Sequence, residues 1–451
     1  MKTSLSDDSM REVTSSLQEA NHAFALKYPG ETGRRQPVHT VYGGAHLFKA
    51  DSARRLGALA RRSLEQYAPD PASFAKAIGL PGALEQTIYT RVLEKLEREP
   101  VEDFRIDFED GYGNRPDVEE DGHAEMAASE VAAGLDAGTL SPFIGIRIKP
   151  LTEELRVRSL RTLDIFVSTL AAKSGGRLPE NFVVTLPKIT VPEQVRALAK
   201  IFAELESANN LASGSLKMEM MIETTQSIIN HRGEIHLPLL LEAAEGRCVA
   251  AHFGTYDYTA SCSITAAHQH MMHPACDFAR HMMQVAYAGT GIWLSDGATN
   301  IMTVAPHRAT EAGPELTPQQ TEENRTVVWR AWRLHYEHIQ RSLTNAFYQG
   351  WDLHPAQFPT RYAAVYAFFL DSLEAASERL SNFVEKAAKA TLVGDVFDDA
   401  ATGQGLLNYF LRAINCGAIT EEEALQLSSL TLTELRSGSF VKILKSRQGQ
   451  S

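Results

Sequence analysis

Eight short segments with β-strand composition recur along the chain, and amphipathic helical segments separate them. Strands and helices that alternate in this way are typical of parallel sheets whose strands are joined by crossover helices. The pattern therefore predicts an α/β protein. The predicted strands are residues 37–44, 104–110, 143–149, 182–188, 216–223, 248–254, 290–296 and, on a weaker pattern, 347–354.

The number of units predicts the architecture. Eight strand-then-helix units favour a TIM (β/α)8 barrel, although an open doubly wound sheet gives the same alternation. After about residue 356 only helical patterns follow. We predict an N-terminal polar or helical segment at 1–35, the barrel at 36–358 and a helical C-terminal extension at 359–451. Disorder is expected, if anywhere, in the polar first sixteen residues and in the tail SRQGQS.

Composition excludes several classes of function. The 451 residues carry a formal net charge of −12, which disfavours a protein that binds nucleic acid through its phosphates. No apolar run approaches the roughly 18 residues that a membrane span needs, and the first residues do not resemble a signal peptide. We therefore expect a cytoplasmic protein without a nucleic-acid or membrane partner. The four cysteines lack C-x-x-C spacing, which favours buried free thiols over a zinc site or disulfides.

Charged residues are concentrated where the predicted strands end. Barrel enzymes place their active sites at the carboxyl ends of the strands, so these residues are expected to share one end of the barrel. Several carboxylates with two or three cations predict a divalent-metal pocket for an anionic substrate, and oxygen ligands suit Mg²⁺ or Mn²⁺. The residues are Asp107, Glu109, Asp110, Arg147, Lys149, Lys188, Glu223, Asp257, Asp296, Asp352 and His354.

Each of these residues also has a purely structural interpretation. Glu223 and Asp257 could cap helices or stabilise turns, and Lys188 could be a surface lysine at a helix start. The acids of DFED at 107–110 could belong to a solvated loop. Arg147 is different, because it lies in an otherwise apolar strand, where a cation needs a partner or a ligand. The whole set of charged residues therefore indicates an active site more strongly than any one of them does.

The motifs that contain these residues, in their order along the chain, resemble those of the HpcH/HpaI aldolase and citrate lyase β-subunit superfamily. This superfamily includes malyl-CoA lyases and is related to malate synthases. The resemblance covers roughly residues 37–360. Two departures limit it: Lys149 and Pro150 replace an Asn and a glycine-rich turn, and the stretch after Asp257 is long. The matching elements are DFED at 107–110, Arg147 in IRIK, Pro187 with Lys188, MIET at 221–224, FGTYDY at 253–258 and LHPAQ at 353–357.

The resemblance implies a phosphoenolpyruvate/pyruvate-type TIM barrel that commonly forms homo-oligomers. It further implies an aldolase- or Claisen-type carbon–carbon lyase that acts on a 2-oxo acid or a 3-hydroxy acid through a metal-stabilised enolate. Glu223 and Asp257 would be the Mg²⁺ ligands, with Mn²⁺ as a substitute. Arg147 would contact the carbonyl or enolate oxygen of the substrate.

Other roles are assigned within the same set. Lys188, Asp296, His354 and the backbone amide of Gly111 are predicted to bind the substrate. The proton would move through water oriented by Asp107, Glu109 or Asp110, or through His46 or His354. We expect substitution of Asp107 or Glu109 to damage turnover more than metal binding.

Two other functions compete with this one. A lyase for a CoA thioester, similar to malyl-CoA or citramalyl-CoA lyase, would need a basic groove, which arginines 34, 35, 54 and 55 could supply. A catalytically silent ligand-binding barrel is the alternative that the altered third strand supports. Histidines 268, 270, 273 and 281 are interpreted as a polar lid or a subunit contact in preference to a transition-metal site. The sequence has no dinucleotide-binding motif and no P-loop motif, so we expect neither a dinucleotide cofactor nor a P-loop.

Overall fold

The structure is a computed structural model that describes residues 4–30, 33–309, 315–385, 392–393, 396–397 and 400–447. Eight parallel strands close into a barrel, in which the first strand pairs with both the second and the eighth. The predicted TIM (β/α)8 fold is confirmed, including the weak eighth strand. The strands are β1 (His39–Gly44), β2 (Asp103–Asp107), β3 (Phe143–Arg147), β4 (Phe182–Leu186), β5 (Lys217–Ile222), β6 (Cys248–Phe253), β7 (Trp293–Ala298) and β8 (Gln349–Asp352).

Helices surround the barrel and connect its strands. The helix after β8, Phe358–Asp371, packs against the helices Pro318–Thr344 and Glu85–Arg98, and so occupies the position of the eighth helix of the ring. The helices up to this point are α1 (Asp7–Lys27), α2 (Ser52–Tyr67), α3 (Pro71–Ile78), α4 (Glu85–Arg98), α5 (Asp117–Ala137), α6 (Arg156–Ser174), α7 (Pro192–Ala208), α8 (Thr225–Ile228), α9 (Leu237–Ala243), α10 (Thr255–Ser261), α11 (Pro274–Tyr287), α12 (Pro318–Thr344) and α13 (Phe358–Asp371).

The strands are buried on both faces, as a parallel sheet inside a ring of helices requires. Every residue of β3 and β4 is buried. Gly145 lets these two strands approach, because a Cβ at this position would lie 2.0 Å from the carbonyl oxygen of Val183. The outward side chains pack on the helices, while the inward ones fill the barrel.

The C-terminal extension is mainly helical, as predicted. The sequence predicts helices alone after residue 356, and this is wrong at one place, where β9 (Leu392–Val393) pairs antiparallel with β10 (Val396–Phe397). Strands of two residues are too short to produce an alternating pattern. The three predicted domain boundaries stay predictions. The helices of the extension are α14 (Leu373–Glu385), α15 (Ala400–Asn415), α16 (Glu421–Ser428), α17 (Leu432–Arg436) and α18 (Phe440–Arg447).

The polar start of the chain is helical in the structure, which agrees with a polar or helical segment but not with disorder over the described part. Ser6 caps α1 by accepting a hydrogen bond of 3.2 Å from the backbone N–H of Ser9, and acidic residues occupy the first turn. No residue of α1 is buried. Residues 448–451 of the predicted disordered tail lie outside the described residues. Within the described ranges no helix is both long and apolar enough to span a membrane.

Candidate functional site

Side chains that follow five consecutive strands meet at the carboxyl end of the barrel. They come from the ends of β2 and β3, from the turns after β2, β4 and β5, and from the first turn of α10 after β6. Direct hydrogen bonds and ion pairs connect neighbouring members. We call these residues the strand-end cluster: Asp107, Glu109, Arg147, Lys188, Glu223 and Asp257.

Asp107 holds Arg147 in a fixed orientation. The two residues are opposite each other in the β2–β3 pairing. Arg147 donates from Nε to Oδ1 of Asp107 at 2.7 Å and from Nη2 to Oδ2 at 2.5 Å. The same two oxygens accept the backbone N–H groups of Glu109 at 3.0 Å and Gly111 at 2.7 Å. Asp107 is therefore a positioning residue for Arg147 and for the turn after β2.

Arg147 keeps one nitrogen directed away from Asp107. Its Nη1 lies 3.1 Å from Oε2 of Glu109, and its guanidinium lies 4.6 Å from the centroid of the Tyr42 ring. Burial on its own would lower the pKa of Arg147, but the charges of Asp107 and Glu109 raise it well above the usual value. The guanidinium is therefore a permanent, buried positive charge at the centre of the site.

Tyr42 is a member of this site that the sequence analysis missed. Within the described residues its buried hydroxyl has no hydrogen-bond partner, and burial raises the pKa of the phenol, so the hydroxyl stays neutral. Its ring packs against Trp351 at 4.7 Å as well as against Arg147. The sequence signal is weak, since Tyr42 is one polar aromatic residue two positions before the end of β1.

Lys188 connects the two sides of the strand-end cluster. Its Nζ forms an ion pair with Glu109 and lies 3.3 Å from Asp110 and 3.5 Å from Asp257. Its backbone N–H donates to Oε1 of Glu223 at 2.7 Å. The residue has a φ of +50°, a left-handed conformation that costs a residue with a Cβ roughly 1 kcal/mol. The interpretation of Lys188 as a plain surface lysine is therefore wrong.

Glu223 is a buried carboxyl group beside a second one. It is 2% exposed, and burial together with the charge of Asp257 raises its pKa to about 8. Gly254 makes room for it, because a Cβ at this position would lie 2.4 Å from Oε2 of Glu223. Asp257 is in the first turn of α10, and 43% of its side chain is exposed. The charge of Asp257 therefore disfavours a second negative charge on Glu223.

The acids after β2 differ in environment. Glu109 is 8% exposed, and burial raises its pKa. Its Oε2 is buried and, among the described residues, accepts no hydrogen bond of good geometry, although Arg147 is near. The side chain of Asp110 is 62% exposed and is only loosely paired with Lys188. Glu109 is therefore the better placed of these two acids to hold a proton.

The structure does not bring Asp296 to the strand-end cluster. Its carboxylate accepts from Nη1 of Arg280 at 3.0 Å and from Oγ of Ser342 at 2.6 Å, which belong to α11 and α12. Asp352 also points away from the strand-end cluster, and it binds His39 of β1, His335 of α12 and Arg361 of α13. Both acids stabilise the packing between the strands and the outer helices.

Three further predicted residues have local partners. The amide of Gly111 already donates to Asp107, so it is not available for a substrate. His354 begins the turn after β8, where its Nδ1 accepts from the amide of Ala356 at 3.2 Å. His46 follows β1, and its ring lies 5.6 Å from that of Tyr112. Across the described ranges no hydrogen bond or ion pair connects His46 or His354 with the strand-end cluster.

The basic groove expected at this end is not supplied by Arg34 and Arg35. The guanidinium of Arg34 lies over Trp293, the first residue of β7, and Arg35 pairs with Glu99 and Glu102, which precede β2. Both arginines therefore lie at the amino end of the barrel, and this part of the prediction is wrong. Arginines 54 and 55 are exposed on α2.

Two of the four histidines after β6, His270 and His273, have local structural contacts. His273 caps α11 by accepting from the amide of Ala275 at 3.1 Å, and its ring lies 6.0 Å from that of His270. Over the part of the chain that the structure describes, no group of three or more His, Cys, Asp or Glu side chains is arranged to hold a metal ion. A cation at Glu223 and Asp257 would therefore have two protein ligands, completed by substrate or water.

A layer of charged residues inside the barrel supports the site from below, and the sequence analysis missed it. Arg105 donates to Oε1 of Glu219 at 2.6 Å across the barrel and also pairs with Asp103. His252 lies 3.2 Å from the same Glu219. The layer could have been predicted from the D-x-R-x-D pattern of β2. Side chains at every second position of a strand lie on the same face, so the three charged residues share the interior of the barrel.

Comparisons with known proteins agree with the fold. Residues 17–443 match a family described as "Domain of unknown function (DUF6986)". Among curated protein sequences none matches the chain. A citrate lyase from Burkholderia xenovorans LB400 superposes with a TM-score of 0.56 at 16% sequence identity, over 87% of this chain and 96% of that chain. The barrel fold implied by the motif resemblance is thereby confirmed.

Two other solved structures are more distant. The malate synthase of Haloferax volcanii, in a magnesium/glyoxylate complex, gives a TM-score of 0.46 at 14% identity, over 90% of this chain and 98% of that chain. A HpcH/HpaI aldolase/citrate lyase family protein from Burkholderia cenocepacia J2315 gives 0.34 at 12% identity, over 61% of this chain and 82% of that chain. Any inference about chemistry has to come from the residues of the site.

Proposed function

Because the chain belongs to the DUF6986 family, a domain of unknown function, its activity has to be inferred from the site, and we propose a Mg²⁺-dependent carbon–carbon lyase of the aldolase or Claisen type. Its substrate would be a 2-oxo acid or a 3-hydroxy acid. The observation that carries the proposal is the position of Lys188, which contacts Glu109 and Asp257 through its ammonium and Glu223 through its amide. These contacts bring together side chains that the proposed reaction would use.

The residues present fit Mg²⁺. Glu223 and Asp257 supply carboxylate oxygens, and Mg²⁺ in proteins typically uses one or two carboxylates and keeps the remaining positions for substrate and water. The raised pKa of Glu223 and the space left by Gly254 are consistent with a carboxylate that is stabilised by a cation. Bound there, Mg²⁺ would polarise a carbonyl oxygen and stabilise negative charge on it.

Arg147 would supply the second positive contact for that oxygen. Asp107 holds two of its nitrogens, so the guanidinium does not reorganise when charge develops on the substrate. Lys188 would pair with the substrate carboxylate. Its ammonium now contacts Glu109 and Asp257, and it would give up one of these contacts when the substrate binds.

Glu109 is proposed to hold and return the proton at its Oε2. The other two acids are less suited to this role. The carboxylate of Asp107 already accepts four hydrogen bonds, and Asp110 is exposed to solvent. Burial raises the pKa of Glu109, so its protonated form is more accessible than that of an exposed glutamate.

The activity can be tested with the purified full-length chain. We expect 4-hydroxy-2-oxo acids or 3-hydroxy acids to be cleaved in the presence of Mg²⁺. Phenylhydrazine would trap the 2-oxo acid and the aldehyde released from the first class, and the aldehyde or ketone released from the second. Chelation should stop the reaction, and Mg²⁺ or Mn²⁺ should restore it. Cleavage of acyl-CoA substrates alone would favour the CoA-thioester lyase, and no turnover of either panel would favour a silent barrel.

The substitution Glu109→Gln tests the proton assignment. We expect kcat to fall about 100-fold, because an amide cannot accept the proton, while the Mg²⁺ affinity changes by less than about threefold. Steady-state kinetics and calorimetric Mg²⁺ titration measure the two quantities. The neighbouring Asp110→Asn is the matched control and should leave kcat nearly unchanged. If Glu109→Gln instead abolishes Mg²⁺ binding, the acids after β2 are themselves the metal ligands.

The substitution Lys188→Met tests whether the lysine competes with the metal. Its ammonium lies 3.5 Å from Asp257, one of the two carboxylates that would hold Mg²⁺, so its removal should tighten Mg²⁺ binding by about tenfold. The KM of an anionic substrate should rise, since a partner of its carboxylate is lost. Lys200→Met, at an exposed position of α7, is the control. Weaker Mg²⁺ binding in Lys188→Met would show that the lysine supports the metal site.

A further inference from the structure

The first helix, α1, exposes a row of apolar side chains, and no residue of this helix is buried. The largest members of the row are between 47% and 62% exposed, and they are Met10, Val13, Leu17 and Phe24. With Ala20 they follow one another at alternating steps of three and four positions, which places all five on one stripe of the helix. Such spacing is the heptad pattern of a two-stranded coiled coil.

The barrel of the same chain leaves this stripe uncovered. The segment after α1 is held at the loop before β7, where the N–H of Gly30 donates to the carbonyl oxygen of Gly289 at 2.8 Å and Tyr28 lies beside Gly289. Helices in proteins are stabilised mainly by the packing of their apolar face, and α1 has 21 residues with no such packing in its own chain. We therefore expect α1 to pack against another molecule.

The polar residues of α1 favour a second copy of the same helix as that molecule. Along the middle of the helix the charged side chains Arg11, Glu12 and Glu19 point away from the stripe. Two such helices can therefore approach each other without placing like charges side by side. The positions that border the stripe are uncharged there, and they are Ser9, Thr14, Ser16, Asn21 and Ala23.

The ends of α1 carry opposite charges. Asp7 and Asp8 lie in the first turn, and Lys27 lies in the last turn. An antiparallel pair places the acidic first turn of each helix beside Lys27 of the other, and it also opposes the two helix dipoles. An anionic membrane surface fits less well, because it binds amphipathic helices whose polar face is rich in Lys and Arg. The polar face of α1 is mainly acidic.

We propose that α1 pairs with α1 of a second copy of this chain as an antiparallel coiled coil. Leu17 of each helix packs against Ala20 of the other, and Val13 packs against Phe24, around a two-fold axis. Because α1 joins the barrel at its amino end, the pairing leaves the strand-end cluster open. The proposal does not depend on the lyase assignment.

Sedimentation velocity of the full-length protein and of its variant Leu17→Glu tests the pairing. We expect Leu17→Glu to halve the mass of the wild-type assembly and to raise the Kd of pairing at least about 100-fold, because it places two like charges in the centre of an apolar contact. Leu26→Glu is the matched control and should leave the mass unchanged, since Leu26 is 71% exposed on the opposite side of α1. Thermal unfolding should show a folded barrel in both variants.

Cross-linking by a carbodiimide tests the orientation without any variant. Asp7 and Lys27 of one chain lie at opposite ends of α1, about 30 Å apart at a rise of 1.5 Å per residue. An amide bond between them therefore joins two chains, and it requires an antiparallel pair. We expect mass spectrometry to find Lys27 linked to Asp7 or Asp8 in the wild-type protein, and Leu17→Glu to lose this link.

The proposal is overturned if wild type and Leu17→Glu have the same mass, if Leu26→Glu reduces the mass equally, or if the link from Lys27 does not form in the wild type. Vesicles of phosphatidylcholine and phosphatidylglycerol provide the remaining comparison. Binding of the wild type to these vesicles that Leu17→Glu abolishes would assign the stripe to a lipid surface, and would overturn the proposal as well.

Discussion

Replacing Glu223 by Gln is expected to abolish measurable Mg²⁺ binding and to lower kcat/KM about a thousandfold or more. The substitution removes one of two carboxylates from a site that offers few other protein ligands, and an amide oxygen does not replace the lost negative charge. Gln has the same shape and can still accept the backbone N–H of Lys188, which now reaches Glu223 at 2.7 Å. The loss should therefore be specific to the metal and the reaction.

Stability measurements separate this effect from misfolding. The pKa of Glu223 is raised to about 8, so the metal-free protein near neutral pH already holds the neutral form that Gln imitates. A folded-state pKa above the unfolded value means that the ionised form is disfavoured in the folded protein, and Gln removes this cost. Urea unfolding should show a variant no less stable than the wild type. Glu204→Gln, at an exposed position of α7, is the matched control.

Replacing Arg147 by Lys is expected to lower kcat by about 100- to 1000-fold and to change the Mg²⁺ affinity by less than about threefold. Lysine keeps the charge but cannot reproduce the two hydrogen bonds to Asp107 together with a third contact near Glu109. The positive group would therefore be displaced from the oxygen on which charge develops. Arg196→Lys on the surface of α7 is the control. A normal kcat with a raised KM would assign Arg147 to substrate binding alone.

The fold was predictable because the short apolar segments that form the strands can be recognised in the sequence. Segments such as FIGIR and FVVTL are apolar apart from Arg147 and Thr185, and they are buried on both faces in β3 and β4. The polar residues that end them were also predictable, since parallel strands of a barrel end on one side. Asp107, Arg147, Lys188, Glu223 and Asp257 do meet there, although the sequence does not specify their contacts.

The direction of each side chain was harder to predict. A strand buried on both faces lacks the alternation that separates inward from outward positions, so Asp296 and Asp352 look like Asp107 in the sequence. In the structure Asp107 faces Arg147, whereas Asp296 faces Arg280 of α11. The orientation of Asp352 follows from Trp351, which packs against Tyr42 inside the barrel and so turns its neighbour outward.

We propose above that Glu223 and Asp257 share one metal ion opposite Arg147. A crystal of the full-length protein soaked with Mn²⁺ and oxalate tests it, because Mn²⁺ is located by its anomalous scattering and oxalate resembles an enolate of a 2-oxo acid. We predict one ion bound by Glu223, Asp257 and oxalate, with oxalate in contact with Arg147 and Nζ of Lys188 withdrawn from Asp257. An ion bound by Asp107, Glu109 or Asp110, or no ion beside Glu223, would contradict this account.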